Sequence, residues 1–98
     1  MEDLAYCKTL ALALEELRGR VTPDIVFYNA GVDPHDEDQL GRLSLTDEGI
    51  RRRDRAVLSF FRERGIPVCG VIGGGYSRDA DAVAARHAIL FRTAREFV

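Results

Sequence analysis

The sequence predicts an α/β fold with a parallel sheet, because helical and strand-like segments alternate along its 98 residues. Two apolar runs, residues 25–28 and 66–72, lack polar alternation, which is typical of strands that are buried on both faces. A helical segment separates them, and a strand–helix–strand unit places its two strands parallel with a right-handed crossover. The predicted order of elements is therefore α-β-α-β-α.

The composition is that of an ordinary soluble domain, with 46% hydrophobic and 31% charged residues. Fourteen basic against sixteen acidic residues leave a net charge of -2, which gives no basic surface for nucleic acid. The apolar runs are shorter than the ~20 residues that span a bilayer, and the acidic start is unlike a secretory signal. Two cysteines without a CxxC pair suit a reducing compartment. We expect a cytoplasmic protein that binds neither nucleic acid nor membrane.

The first helix is predicted over residues 3–20, where apolar side chains recur every three or four positions. These are Leu4, Cys7, Leu10, Leu14 and Leu17. Asp3 is expected to cap the start of this helix, and Gly19 followed by Pro23 to end it.

The second helix is predicted from an N-cap at Thr46 to residue 64, with Gly65 closing it. Its inner face is expected to carry Ile50, Val57, Leu58 and Phe61. The same helix carries four clustered arginines: Arg51, Arg52, Arg53 and Arg55. They could form a basic patch, but nearby acids favour a solvated helix face. The third helix is predicted over residues 78–96, capped by Ser77 or Asp79.

Two strands alone do not complete a sheet, because both would be edges and their apolar faces would lack neighbours. Residues 1–98 are therefore predicted to be a single partial domain. Its sheet would be completed by a missing N-terminal half, by another copy of the chain, or by another protein.

Ligands of open α/β sheets bind beyond the carboxyl ends of the strands. Asp33 follows the first strand, in a long polar segment over residues 31–45, and Tyr76 follows the second, so both could converge on one site. Asp33 could ligate a metal ion or simply form a turn or N-cap. For the histidines we expect His35 to lie in a surface loop and His87 to pack in its helix.

Tyr76 is preceded by three glycines, residues 73–75. Glycine lets the backbone approach a ligand closely, although a flexible turn explains the run equally well. The run is neither G-x-G-x-x-G nor a P-loop, so it supports a nucleotide site only weakly. The Tyr76 phenol could point a hydrogen-bond donor into a pocket, or pack with its hydroxyl in water.

Several ordered blocks together resemble the C-terminal part of the zinc-dependent histone deacetylases, especially class IV and bacterial deacetylase-like members. The matching blocks are residues 23–33 (PDIVFYNAGVD), 38–43 (DQLGRL), 53–54 (RD), 65–68 (GIPV) and 73–76 (GGGY). The resemblance implies a three-layer α/β/α sandwich around a parallel sheet. It also implies an amidohydrolase that acts on an acylated lysine or acylpolyamine.

The resemblance implies that Asp33 is the last of three zinc ligands and that Tyr76 donates a hydrogen bond to the substrate carbonyl. Gly74 and Gly75 would then lie beside the substrate. The family's Asp-x-His zinc ligands and paired catalytic histidines lie earlier in its sequence and have no counterpart here. The chain is therefore expected to be inactive alone. The alternatives are a non-catalytic α/β domain that oligomerises or binds a partner and, more weakly, a small nucleotide-binding domain.

Overall fold

The computed structural model describes residues 2–32, 34–35, 45–75 and 79–97. The elements are α1 (Asp3–Arg20), β1 (Val26–Asn29), α2 (Asp47–Glu63), β2 (Val68–Val71), α3 (Ala80–Ala94) and a closing 3-10 turn (Arg95–Phe97). This order confirms the predicted α-β-α-β-α pattern. No helix in the described ranges is both long enough and apolar enough to cross a membrane.

The two strands form a parallel pair, as the strand–helix–strand pattern predicts. Val26 pairs with Val68 at one end and Asn29 with Val71 at the other. Each strand has four residues, so β1 is as long as its apolar run but shifted by one residue, whereas β2 is shorter than its run.

The helices cover one face of this sheet. Tyr28 and Gly70 pair on that face: the Tyr28 hydroxyl contacts Asp54 of α2, and a Cβ placed at Gly70 would lie 3.3 Å from Leu90 of α3. On this side the buried cluster of the core is Leu45, Ile50 and Ile89, with Tyr6 packed against it. The described residues therefore form two layers, a sheet and its helices.

The opposite face of the sheet is open. The apolar runs are typical of strands buried on both faces, but two strands alone were expected to leave apolar faces without neighbours, and this face has none among the described residues. Phe27 is 72% exposed, Val71 is 44% exposed, and Cys69 between them in the sheet is also exposed. The apolar pattern of the strands is suited to burial, but the described part of the chain has no third layer to cover the open face.

The N-caps of α2 and α3 follow the prediction, whereas that of α1 does not. Thr46 Oγ1 accepts a hydrogen bond from the Gly49 N–H at 3.1 Å, and Asp79 accepts from the N–H groups of Asp81 and Ala82. Asp3 lies in the first turn of α1, and Glu2 occupies its N-cap position. The Asp3 carboxylate instead accepts hydrogen bonds from the N–H and hydroxyl of Thr46.

This contact between α1 and α2 depends on Gly49. A Cβ placed at Gly49 would lie only 2.0 Å from Asp3 Oδ1, so a side chain there would displace the carboxylate.

The apolar stripe predicted on α1 is correct only in part. Leu10 and Leu14 are half-buried, whereas Leu4 is 66% exposed. Helix α1 has the predicted bounds, since it ends at Arg20, after Gly19 and before Pro23.

Candidate active site

The chain segments that follow the two strands stay side by side beyond the strand ends. The Ala30 N–H donates to the Val71 carbonyl at 2.8 Å, and the Val32 N–H donates to the Gly73 carbonyl at 3.1 Å. Ala30 and Val32 are each only 1% exposed. The pairing therefore extends the sheet toward the region where the sequence predicts a ligand site.

Gly75 packs tightly at this junction. A Cβ placed on it would lie 2.7 Å from Val83 Cγ1 and 3.1 Å from Val32 Cγ2, and its φ of +93° is one that side chains rarely allow. Gly74 also has a positive φ, +66°. Both glycines thus occupy backbone conformations that favour glycine, and their role toward a substrate stays a prediction.

Asp33 and Tyr76, the predicted zinc ligand and phenol donor, lie outside the described residues. Their neighbours in the sequence, Val32 and Gly75, are in contact where the two segments meet. The prediction that Asp33 and Tyr76 converge stays a prediction, and this contact supports it.

A cleft of about 340 Å³ opens beside the same junction, between the strand ends and helices α1 and α2. Its lining includes Tyr6, Tyr28, Asn29, Gly31, Arg53 and Gly74. The cleft is thus bordered by backbone, two phenols, an amide and a guanidinium, all groups that can form hydrogen bonds with a polar ligand.

Arg53 is buried beneath this cleft, so the expectation that the clustered arginines form a solvated face is wrong for it. Arg53 is 4% exposed and Asp54 is 0% exposed. Arg53 Nε donates to Asp54 Oδ1 at 3.0 Å, and Arg53 Nη1 donates to the Gly31 carbonyl at 2.5 Å. The Tyr28 hydroxyl donates to the same Asp54 oxygen at 2.5 Å.

A helical-spacing signal could have found this inward arginine. The buried positions of α2 include Ile50, Arg53, Asp54, Val57 and Phe61. Arg53 lies three residues after Ile50 and four before Val57, so it shares their helix face. The charge of Arg53 predicts a solvent-exposed side chain, whereas its helical spacing predicts a position on the buried face of α2.

The charge states of Tyr28 and Arg53 follow from their burial beside Asp54. Burial raises the pKa of Tyr28 well above its ordinary value, and the neighbouring Asp54 raises it further against the opposing charge of Arg53. Burial alone would lower the pKa of Arg53, but Tyr28 and Asp54 outweigh that effect and raise it. Tyr28 is therefore held as a neutral donor, and Arg53 as a cation.

The predictions for the two histidines have different outcomes. His35 is 6% exposed, so the surface-loop expectation is wrong, because its Nε2 lies 2.7 Å from Asp47 Oδ1 at the start of α2. Its backbone N–H also donates to the Val32 carbonyl at 3.1 Å. His87 is half-buried in α3, as predicted, with Nε2 facing Gly75.

The donor atoms present do not by themselves fit a zinc ion. Catalytic zinc takes three protein ligands. In the described ranges no three His, Cys, Asp or Glu side chains gather into a possible metal site. Asp33 would add a single carboxylate. A zinc ion at Asp33 would therefore need ligands beyond the residues that the structure describes.

Comparison with known proteins agrees with the resemblance in the sequence. The family model of the histone deacetylase domain matches residues 1–91. An uncharacterized protein from Picosynechococcus sp. is 47% identical over 96 residues, covering 98% of this chain and 32% of that protein. Histone deacetylase 2 from Arabidopsis thaliana is 40% identical over 80 residues, covering 82% of this chain and 21% of that protein.

The chain thus spans about a third or less of the length of these relatives. The family model nevertheless matches nearly the whole chain, including both strands, the strand-end junction and most of α3. The parallel strand pair with its crossover helix is compatible with part of a deacetylase-like domain. The chain belongs to the histone deacetylase family, whose members are hydrolases and generally depend on zinc.

Proposed function

We propose that this chain forms the C-terminal portion of a zinc-dependent deacetylase-like amidohydrolase. Its substrate would be an acetyl-lysine-type amide or an acylpolyamine, and the chain would be inactive alone. The observation that carries the proposal is the junction at the strand ends, where Val32 and Gly75 meet. The next residue after each of them is one that the resemblance assigns to catalysis.

Each predicted site residue has a definite role in this proposal. Asp33 supplies one carboxylate ligand to zinc, which when bound polarises the amide carbonyl and activates water. Tyr76 donates its hydroxyl proton in a hydrogen bond to the carbonyl oxygen as negative charge develops there. Gly74 borders the cleft beside the proposed substrate, whereas Gly75 lets the two chain segments approach each other closely.

The open sheet face supports the proposal that further structure completes the domain. Phe27 and Val71 are apolar and exposed on a face whose strands are patterned for burial. The longer relatives have the additional length from which a third layer and the remaining zinc ligands could come. We propose a three-layer α/β/α sandwich for the completed domain.

A chimera tests this function. The chain would replace the corresponding 96-residue segment of the Picosynechococcus relative, and zinc content and hydrolysis of an acetyl-lysine peptide and an acetylpolyamine would be measured. We expect Asp33→Asn to abolish tight zinc binding. We expect Tyr76→Phe to keep zinc but to lower turnover by ~10²–10³. Asp24→Asn, at an exposed position before β1, is the matched control.

Two outcomes would contradict the proposal. Normal turnover by Tyr76→Phe would exclude the phenol as the carbonyl donor. Zinc-dependent hydrolysis by the isolated 98-residue chain would show that it needs no further ligands or histidines.

A second candidate function is a non-catalytic domain that oligomerises through its sheet. The exposure of Phe27, Cys69 and Val71 on one face favours it, since apolar patches of this kind mark interaction surfaces. Sedimentation of the isolated chain separates the two functions. A stable oligomer with an inactive chimera would favour this second function.

A further inference from the structure

We propose that Arg53 is a positioning residue that fixes the turn leading from β1 to Asp33. Its guanidinium reaches from the buried face of α2 to the Gly31 carbonyl, two residues before Asp33 in the sequence. The importance of this turn for catalysis rests on the proposed function, whereas the contact itself does not.

The contact is built for a fixed geometry. Arg53 Nη1 lies 2.5 Å from the Gly31 carbonyl oxygen, and Nε lies 3.0 Å from Asp54 Oδ1. Two different nitrogens of one planar group therefore serve two acceptors at once, one in α2 and one in the turn. A lysine ammonium is a point charge without this rigid fork, so it would not reproduce both contacts.

Arg53 is itself held in place from a third direction. Its Cζ atom lies 5.7 Å from the centre of the Tyr28 ring, whose hydroxyl donates to Asp54. Helix α2, strand β1 and the turn after β1 are thus joined by one buried group of side chains. Outer contacts of this kind orient the ligands of metal sites, and losing them typically costs 10–100-fold in metal affinity or activity.

Backbone amides in and beside the turn allow its stability to be measured without any metal. The Val32 N–H donates to Gly73, and the His35 N–H donates to Val32, so these two amides flank Asp33. The Ala30 N–H donates to the Val71 carbonyl directly after β1 and serves as the reference amide. Amide hydrogen exchange of the 98-residue chain therefore measures the turn and the sheet separately.

We expect Arg53→Lys to speed exchange at Val32 and His35 by about tenfold to a hundredfold relative to Ala30, the effect of losing a charge-assisted hydrogen bond. A purely structural role would speed all three amides together. Arg52→Lys, at the neighbouring exposed position, is the matched control and should change none of the ratios.

A second variant covers the case in which Arg53→Lys does not fold. The double substitution Arg53→Met with Asp54→Leu replaces the buried pair by apolar side chains, a change that proteins often tolerate or that stabilises them. We expect it to retain a cooperative melting transition but to show the same faster exchange at Val32 and His35. Unchanged exchange ratios in the folded variants would overturn the proposal.

The zinc affinity of the chimera separates this inference from the proposed function. If Asp33→Asn leaves zinc binding intact while the exchange ratios change as expected, the proposed function fails and the Arg53 contact stands. If Asp33→Asn abolishes zinc binding but the double variant binds zinc as tightly as the parent, the positioning role of Arg53 is overturned. We expect the double variant to bind zinc about 10–100-fold more weakly than the parent.

Discussion

The two faces of the sheet differ although they belong to the same eight strand residues. Tyr28 points toward the helices and bonds to the buried Asp54, whereas its neighbour Phe27 points the other way and is 72% exposed. Successive strand residues alternate between faces, so one sequence step separates a packed environment from an open one. The comparison teaches that an apolar strand pattern shows a requirement for burial, and that only a partner layer can meet it.

Each face of the sheet also carries residues of a kind usually found on the other. The covered side holds a buried ion pair, Arg53 with Asp54, while the open side presents Phe27 and Val71 to solvent. Burying two charges costs solvation free energy, which their attraction and added hydrogen bonds must offset. Here the hydrogen bonds from Tyr28 and to Gly31 supply part of that compensation and join the strand to the turn.

The largest loss should come from breaking the buried pair on the covered side. Asp54→Ala removes the carboxylate and leaves the Arg53 guanidinium buried beside the Gly31 carbonyl alone. We expect the free energy of unfolding of the chain to fall by roughly 3–5 kcal/mol, measured by urea denaturation. Glu63→Ala, on the solvent side of the same helix, should change it by at most about 0.5 kcal/mol. Equal effects of the two substitutions on the free energy of unfolding would contradict the special role of the buried pair.

A smaller loss is expected from Tyr28→Phe, which removes only the hydroxyl that donates to Asp54. Losing a hydrogen bond to a charged group costs about 1.5–3 kcal/mol in the free energy of unfolding. The substitution should also change the response to alkaline pH. Burial raises the pKa of Tyr28 in the folded chain, so its contribution is complete below its ordinary pKa of about 10.

Above that pH the unfolded chain loses the phenol proton and the folded chain keeps it, so stability declines as pH rises. The measurement is the midpoint of urea unfolding between about pH 9 and pH 12, compared for parent and Tyr28→Phe. The difference between the two curves should shrink as pH increases. A constant difference would contradict a raised pKa in the folded state.

The smallest effect on the isolated chain is expected from Phe27→Ser on the open face. Phe27 is already exposed, so the free energy of unfolding should change by no more than about 0.5 kcal/mol. In the chimera the same substitution should destabilise far more, because a third layer would bury the ring. Thermal unfolding of both proteins checks this, and equal effects would mean that nothing covers this face.

The sequence by itself determined the order of the elements and the parallel direction of the strands. It also correctly indicated the N-caps at Thr46 and Asp79 and the inward face of α2 at Ile50 and Val57. These features depend on signals that lie within a few residues of each other, namely helical spacing, capping side chains and short apolar runs. The match to the deacetylase family was likewise carried by blocks visible in the sequence.

Only the tertiary structure decided which polar groups lie inside. Arg53 is buried while its neighbour Arg52 is exposed, His35 is held against Asp47, and Asp3 bonds to Thr46 across 43 residues of sequence. Local patterns do not contain these outcomes, because each depends on a partner brought close by the fold. The open sheet face, in contrast, was expected for two strands alone, because apolar strands indicate that a covering layer is needed and the described residues place none there.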